Sequence, residues 1–215
     1  MTDTYGDRYH AAFWASPAAP YLLDRGLLHS TIERFRIGFV SSPAPGHARY
    51  RGRIAIPYED GMGRERGIRY RKMPDDPHPA KYLGVKGFNH LFAVRASDYP
   101  VVYLTEGELD AMILWQLGYR AVGVPGAQTW QDEWRFLFRN CDEVVITFDN
   151  DEPKLDPTTG KVRPGAGQLG AMKVWRSLDK AGVVTRTTNL PRGMDVNEAL
   201  LELGENQLRA LLEVA

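Results

Sequence analysis

In Val101-Val102-Tyr103-Leu104-Thr105-Glu106-Gly107-Glu108-Leu109-Asp110-Ala111 an apolar, β-branched run gives way, at one acid and one glycine, to residues with helical spacing. The pattern predicts a strand over 101–105 and a helix over 108–117 that Gly118 stops. The same alternation continues downstream, with strands expected at 121–124, 143–148 and 183–188 and helices at 131–138 and 167–181. Strands that alternate with helices in this way form an α/β fold, a parallel sheet with helices on both faces. The last stretch, 196–214, reads as one or two amphipathic helices interrupted near Gly204.

Five acids follow these apolar runs: Glu106, Asp110, Asp149, Asp151 and Asp195. In a parallel sheet all strand C-termini open on one edge, and ligands gather there. Glu106 follows the first strand, Asp149 and Asp151 the third, and Asp195 comes after the fourth, so one crevice is expected to collect them. Asp110 lies four residues beyond Glu106 and, if Glu106 begins the helix, shares its face one turn deeper. Asp149 and Asp151 point the same way if the backbone between them stays extended. Crowded carboxylates repel unless a cation compensates. A hard-oxygen set of this kind suits magnesium, which takes one or two carboxylates and keeps water and phosphate oxygens in its octahedron. Calcium is disfavoured, because the 149–151 loop lacks EF-hand periodicity. Each acid alone is explained as well by a helix N-terminus or a turn cap. Their common position at strand ends is the argument for a shared site.

The residues before 101 have another character. Apolar positions up to about Gly38 predict two or three short helices, broken at Pro17, Pro20 and Gly26. Strand-like runs follow at 54–58 and 67–71, joined by a turn at Asp60-Gly61. Between Arg49 and Lys86 ten Lys or Arg face five acids, although the whole chain balances 27 against 27. Arg49, Arg51 and Arg53 are expected to alternate along one strand face, as are Arg69 and Arg71, with Tyr50, Tyr58, Tyr70 and Tyr82 near them. Cations interleaved with aromatic rings suit a polyanion that also stacks, and a solvated sheet face is the alternative. The single cysteine, Cys141, excludes an internal disulfide and fits a reducing cytosol. No apolar run is long enough to span a bilayer, so a cytoplasmic protein without membrane attachment is expected.

Three motifs resemble the Toprim domain of bacterial-type primases, topoisomerases and some nucleases. Thr105-Glu106-Gly107-Glu108-Leu109-Asp110-Ala111 is similar to its EGxxDA element, Phe148-Asp149-Asn150-Asp151 to its DxD element, and Gly193-Met194-Asp195-Val196-Asn197-Glu198 to the third acidic element of primases. Upstream, Tyr21-Leu22-Leu23-Asp24-Arg25-Gly26-Leu27 and Phe35-Arg36-Ile37-Gly38 resemble the opening of the DnaG-type primase core. Arg53-Ile54-Ala55-Ile56-Pro57-Tyr58, Gly67-Ile68-Arg69-Tyr70-Arg71 and Lys81-Tyr82-Leu83 are similar to its basic subdomain. The resemblance implies a helical and basic subdomain over 1–95, a Toprim sheet over 96–203 and a C-terminal helix over 204–215. No Cys/His cluster precedes the core and little chain follows it, so a phage-type core lacking zinc-binding and helicase-binding domains is expected. The segment 152–165 is longer than the family's usual DxD turn.

The resemblance further implies synthesis of short RNA primers on a single-stranded DNA template from NTPs, with Mg2+ or Mn2+ as cofactor. Asp149 and Asp151 are then metal ligands, Asp195 serves the same or a neighbouring ion, and Glu106 is a ligand or a general acid–base. Asp110 orients its neighbours. Arg51, Arg53, Arg69, Arg71, Lys72 and Lys81 are assigned to template and triphosphate. A replicative helicase or a separately encoded zinc-binding module is an expected partner, and the cytoplasm of a host cell the setting. A Toprim nuclease and a non-catalytic nucleic-acid-binding Toprim protein are the alternatives, and a topoisomerase is disfavoured by the short chain.

Overall fold

The computed structural model describes residues 4–126, 128–155, 158 and 160–213. The chain divides into two compact units, Met1–Asn89 and His90–Ala215. Residues 90–95, read from the sequence as the end of the N-terminal part, lie with the second unit. There Phe92 and Gly123 exchange both backbone hydrogen bonds, at 2.8 and 3.0 Å.

The first unit carries α1 (Tyr5–Ala11), α2 (Ala18–Asp24) and α3 (His29–Arg34), with an antiparallel sheet in the order β1 (Gly38–Phe39), β2 (Ile54–Glu59), β3 (Glu65–Arg71), β4 (Tyr82–Leu83). A reciprocal capping box between Thr4 and Asp7 starts α1. The β2–β3 turn is shaped by Asp60, whose carboxylate accepts hydrogen bonds from the Met62 and Arg64 amides at 2.9 and 3.1 Å. Tyr9, Val40, Tyr50, Ala55, Ile68 and Tyr70 form the core, and Tyr50 stacks on Tyr70 with ring centroids 3.8 Å apart.

This packing changes the expected arginine strand. Residues 48–50 form a single 3-10 turn, and Gly52 adopts a left-handed φ of 75°, so Arg49, Arg51 and Arg53 share no strand face. Burial of Tyr50 against Tyr70 is the physical reason, since an extended segment would pull its ring away. Arg53 is drawn inside. Its side chain is 2% exposed and pairs with Asp76 at 2.8 Å, and its Nη1 donates to the Ala80 carbonyl at 3.2 Å.

In the second unit, four parallel strands lie in the order β10 (Thr185–Thr187), β7 (Glu143–Thr147), β5 (Val101–Thr105), β6 (Ala121–Gly123). Helices α4 (Glu108–Gln116), α5 (Ala166–Asp179), α6 (Val196–Leu203) and α7 (Glu205–Glu213) cover it. Side chains alternate across the pleat. Val102, Leu104, Val144 and Ile146 pack with Phe138 and with Val174 and Leu178 of α5, while the Tyr103 hydroxyl donates to the Leu212 carbonyl of α7 on the opposite face. The expected helix at 131–138 is a 3-10 helix over Asp132–Phe138. Between β7 and α5 the chain forms a two-stranded ribbon, β8 (Lys154–Leu155) against β9 (Val162–Arg163). No helix among the described residues is long and apolar enough to cross a membrane.

Asp76→Ala leaves the buried Arg53 guanidinium without its counter-charge. The variant should lose about 3 kcal/mol of stability, the cost of breaking one side of a buried pair, measured by urea unfolding.

Candidate functional site

Register brings the three acidic motifs to one sheet edge. Thr105 lies opposite Thr147 in the β5–β7 pair, so Glu106 and the Asp149 loop leave adjacent strand ends. α4 starts at Glu108 behind an extended Gly107, and Gly123 of β6 passes beneath it. A Cβ on Gly123 would stand 2.8 Å from the Gly107 carbonyl oxygen.

β7 ends at Thr147, so Asp149-Asn150-Asp151 is loop rather than extended strand. Two neighbours hold that loop. The 190–194 segment exchanges backbone hydrogen bonds with Asn150 (Asn150 N to Met194 O, 3.1 Å; Gly193 N to Asn150 O, 2.7 Å), and Asn150 Nδ2 donates to the Leu190 carbonyl at 2.6 Å. On the other side, the Gly167 amide at the start of α5 donates to Asp151 Oδ2 at 2.7 Å. Gln168 Nε2 reaches both Asn150 Oδ1 and the Asp151 carbonyl, at 2.7 and 2.8 Å. Gly165 and Gly167 make the approach possible, because their Cβ atoms would fall 2.2 Å from Asp151 Cβ and 2.1 Å from the Asp149 carbonyl oxygen.

The third motif closes the set. Asp195 is the N-cap of α6, accepting from the Glu198 amide at 2.7 Å in a reciprocal capping box. The Asn197 amide donates to Asp110 Oδ1 at 3.1 Å, which ties α4 to α6 through a buried carboxylate. Asp151, Asp195 and Asp110 thus each commit one oxygen to the backbone. Asp149 makes no side-chain hydrogen bond among the described residues. Asn150, Gln168 and Asn197 carry no acidic signature, and only the glycine-rich run at 165–167 marks in the sequence where α5 approaches the loop.

In the first unit, Arg69, Arg71 and Lys81 gather on one ring. Their cationic groups lie 4.2, 5.6 and 6.0 Å from the centroid of Tyr82. Arg71 is buried and donates to the Tyr82 hydroxyl at 2.7 Å and to the Tyr21 hydroxyl at 3.4 Å. Burial alone would raise the Tyr21 phenol, but the Arg71 and Arg25 guanidiniums outweigh it and hold the group below its ordinary value. Lys72 donates to the His78 carbonyl at 3.1 Å, and Arg51 to the Ser41 carbonyl at 2.9 Å. Arg53, expected to meet phosphate, lies inside the fold with Asp76 instead.

Residues 103–154 match a family described as Toprim-like. The chain is 33% identical over 168 residues to Gene 57 protein of Mycobacterium phage D29, across 74% of this chain and 97% of that protein. It is 25% identical over 239 residues to the DNA primase of Clostridium acetobutylicum, across 93% of this chain and 38% of that one. A solved DnaG primase catalytic domain bound to ssDNA shares the fold with a TM-score of 0.73 at 24% identity, over 97% of this chain and 75% of that chain. The chain belongs to the Toprim family with the DnaG-type primase core. This Toprim core spans little more than a third of the Clostridium primase.

The electrostatics of the Toprim core centre on Asp149. Burial, followed by the like charges of Asp110, Glu106, Asp195 and Asp151, pushes its carboxyl up to about 8. Like charge from the three motifs thus adds to burial in raising this carboxyl. Among the described residues no group of three or more His, Cys, Asp or Glu is placed to hold a metal ion as a cage. An ion with a full protein shell does not fit, whereas magnesium, held by one or two carboxylates with water and phosphate around it, fits both the oxygen donors and the excess negative charge.

Because the folded Asp149 binds its proton more tightly than the unfolded chain does, its contribution to stability is complete below about pH 4 and is lost as pH rises through about 8. In the absence of divalent ions, Tm should fall over that interval relative to Asp149→Asn. Thermal melts at several pH values, with and without magnesium, check this, and the ion should raise the parent's Tm most at the alkaline end.

Proposed function

We propose that this chain is the catalytic core of a DNA primase, making short RNA primers on single-stranded DNA by nucleotidyl transfer. The observation that carries the reading is the convergence of three acidic motifs on Asp149, whose raised titration marks a site with uncompensated negative charge. Such a site recruits a metal–phosphate complex and has no evident structural use.

In this reading Asp149 and Asp151 hold the cation, with Asp195 on the same or a neighbouring ion. When bound, magnesium supplies charge neutralisation at the α-phosphate and a lowered pKa for the attacking 3′-hydroxyl. The protein's own groups position and protonate. Asp149 must shed its proton to act, which occupancy of the site by a cation favours. Glu106 either completes the shell or takes the proton of the 3′-hydroxyl as pyrophosphate leaves. Asp110 works through the backbone, fixing the start of α6 and thereby Asp195. The α5 terminus does the same for Asp151 through Gly167 and Gln168.

In the first unit, the Arg69, Arg71 and Lys81 group around Tyr82 offers charge for phosphates beside a ring that a base can stack on. The ssDNA in the solved DnaG relative supports a single-stranded template as the polyanion. A DNA template sets the protein's work in the cytoplasm, of a host cell if phage-encoded. A helicase and a separately encoded zinc-binding module are its proposed partners.

De novo synthesis from NTPs on single-stranded templates, with magnesium or manganese and with nuclease activity scored in parallel, tests the reading. Asp149→Ala should lower synthesis by about a hundredfold or more, as when several kcal/mol of charge stabilisation are removed. The same variant should keep ssDNA binding and match or exceed the parent's Tm. Cleavage without synthesis assigns a nuclease, and binding without metal-dependent chemistry assigns a non-catalytic subunit.

Charge in the first unit is tested separately. Arg69→Ala should weaken ssDNA binding and reduce the magnitude of the log K against log[salt] slope by about 0.7 for each phosphate that is no longer neutralised. An unchanged slope excludes the Tyr82 group from the template path.

A further inference from the structure

One uncharged residue is hydrogen-bonded to both the DxD loop's support and the third acidic motif. Asn150 stands between Asp149 and Asp151, and the segment that it grips, 190–194, runs directly into Asp195. Its amide donates to the Met194 carbonyl at 3.1 Å, and its carbonyl accepts from the Gly193 amide at 2.7 Å. Its side chain reaches the other end of the same segment, with Nδ2 donating to the Leu190 carbonyl at 2.6 Å. Gly193 turns the segment at a left-handed φ of 80°, and the Met194 amide closes the turn on the Pro191 carbonyl at 3.2 Å. Leu190 is 3% exposed, so the end held by the side chain is itself sunk in the fold.

The hydrogen bonds fix the orientation of this side chain. The Asp151 carbonyl can only accept, so the Gln168 group that lies 2.8 Å from it is the amino group, Nε2. The same nitrogen lies 2.7 Å from Asn150, which must present Oδ1 to it. Nδ2 is thereby turned to the Leu190 carbonyl, which again can only accept. Two main-chain carbonyls on separate segments thus orient the same pair of amides, and a relay runs from α5 through Gln168 and Asn150 to the 190–194 segment. Aspartate would have the size but not the donor, and would set oxygen against oxygen at Leu190. Alanine would reach neither partner. The ion pair Glu152–Arg192, at 3.3 Å, joins the same two loops, but both side chains are exposed and the pair adds little.

We propose that Asn150 is a positioning residue whose side-chain amide sets the separation between the Asp149–Asp151 pair and Asp195. The proposal rests on the reading of these acids as a cation site for nucleotidyl transfer and goes beyond it by naming the neutral group that spaces them. The capping box fixes Asp195 to α6, not to the DxD loop. Backbone pairing at 193–194 ties the two loops at one end only, and the bond to Leu190 pins the other. Asn150 therefore acts through Asp195 and not as a ligand.

The test titrates the full chain, free of template and nucleotide, with Mn2+ alone. Bound ion is read by electron paramagnetic resonance at a temperature where every variant is folded. Asn150→Ala should weaken Mn2+ binding by about tenfold, the usual effect of removing a group that orients a metal ligand. Asn150→Asp should weaken it too, although it brings one more carboxylate to the site. Asp195→Asn keeps a residue that caps α6, and in that background Asn150→Ala should change the affinity by less than about twofold, because the group through which it acts is gone. Gln168→Ala should reproduce part of the defect and add little to Asn150→Ala.

Parental affinity in Asn150→Ala overturns the proposal. An equal defect with and without Asp195→Asn also overturns it, since the amide would then act on the fold or on Asp151 alone. Tighter binding by Asn150→Asp makes position 150 a ligand and overturns it as well. If the parent binds no Mn2+, the cation site falls and the proposal with it. If the parent binds Mn2+ and makes no primers, the primase reading fails while the titration still decides the spacing role.

Discussion

Asp149 is kept among four other acids by the backbone rather than by any attraction between side chains, and the second unit is arranged around that constraint. The parallel register of β5 and β7 brings two acidic loops to one edge, α5 clamps the Asp151 carboxylate, and the start of α6 clamps Asp110. Both carboxylate clamps come from main-chain amides, which neither titrate nor change rotamer. The carboxylates cannot relax apart, and the crowding adds to burial in pushing the Asp149 carboxyl up to about 8. Preorganisation of this kind is the means by which a site spends folding energy on binding.

The first unit divides its arginines by burial. Arg53 is used up within the fold by Asp76 and by carbonyl oxygens, and Arg71 straddles the boundary, buried but hydrogen-bonded to two tyrosine hydroxyls. Arg69 and Lys81 present charge at the Tyr82 ring. A count of cations along the sequence therefore overstates the surface charge of this unit, and the aromatic partners show which cations are displayed.

Much of the second unit is legible in the residues themselves. Strand 101–105 and helix 108–116 follow from a β-branched run, a glycine and helical spacing, because strands buried on both faces must be apolar throughout. The structure adds a capping box between Asp195 and Glu198, which equally explains Asp195 without a metal. What could not be read depends on interactions across long separations. The 3-10 turn at 48–50 exists because Tyr50 finds Tyr70, and the burial of Arg53 because Asp76 lies within reach of its guanidinium. The roles of Gln168 and Asn150 arise only once α5 and the 190–194 loop lie on either side of the DxD loop. An insertion of the length of 152–165 gave no period from which a ribbon could be inferred, because two-residue strands are too short to show one.

The bond between the Asn197 amide and Asp110 joins residues 87 apart in the chain, and this bears on how the protein is born. Pairings of such separation come late, since the entropy of closing the loop is paid before the bond rewards it. Synthesis proceeds from the N-terminus, so Glu106, Asp110, Asp149 and Asp151 leave the ribosome well before the segment that completes their site. Until residues 185–197 emerge, β7 lacks its outer neighbour β10 and Asp110 lacks its amide donor. Completion of the site by Asp195, and the tie of Asp110 to α6, are thus deferred to the final stage of folding, when the finished sheet is in place.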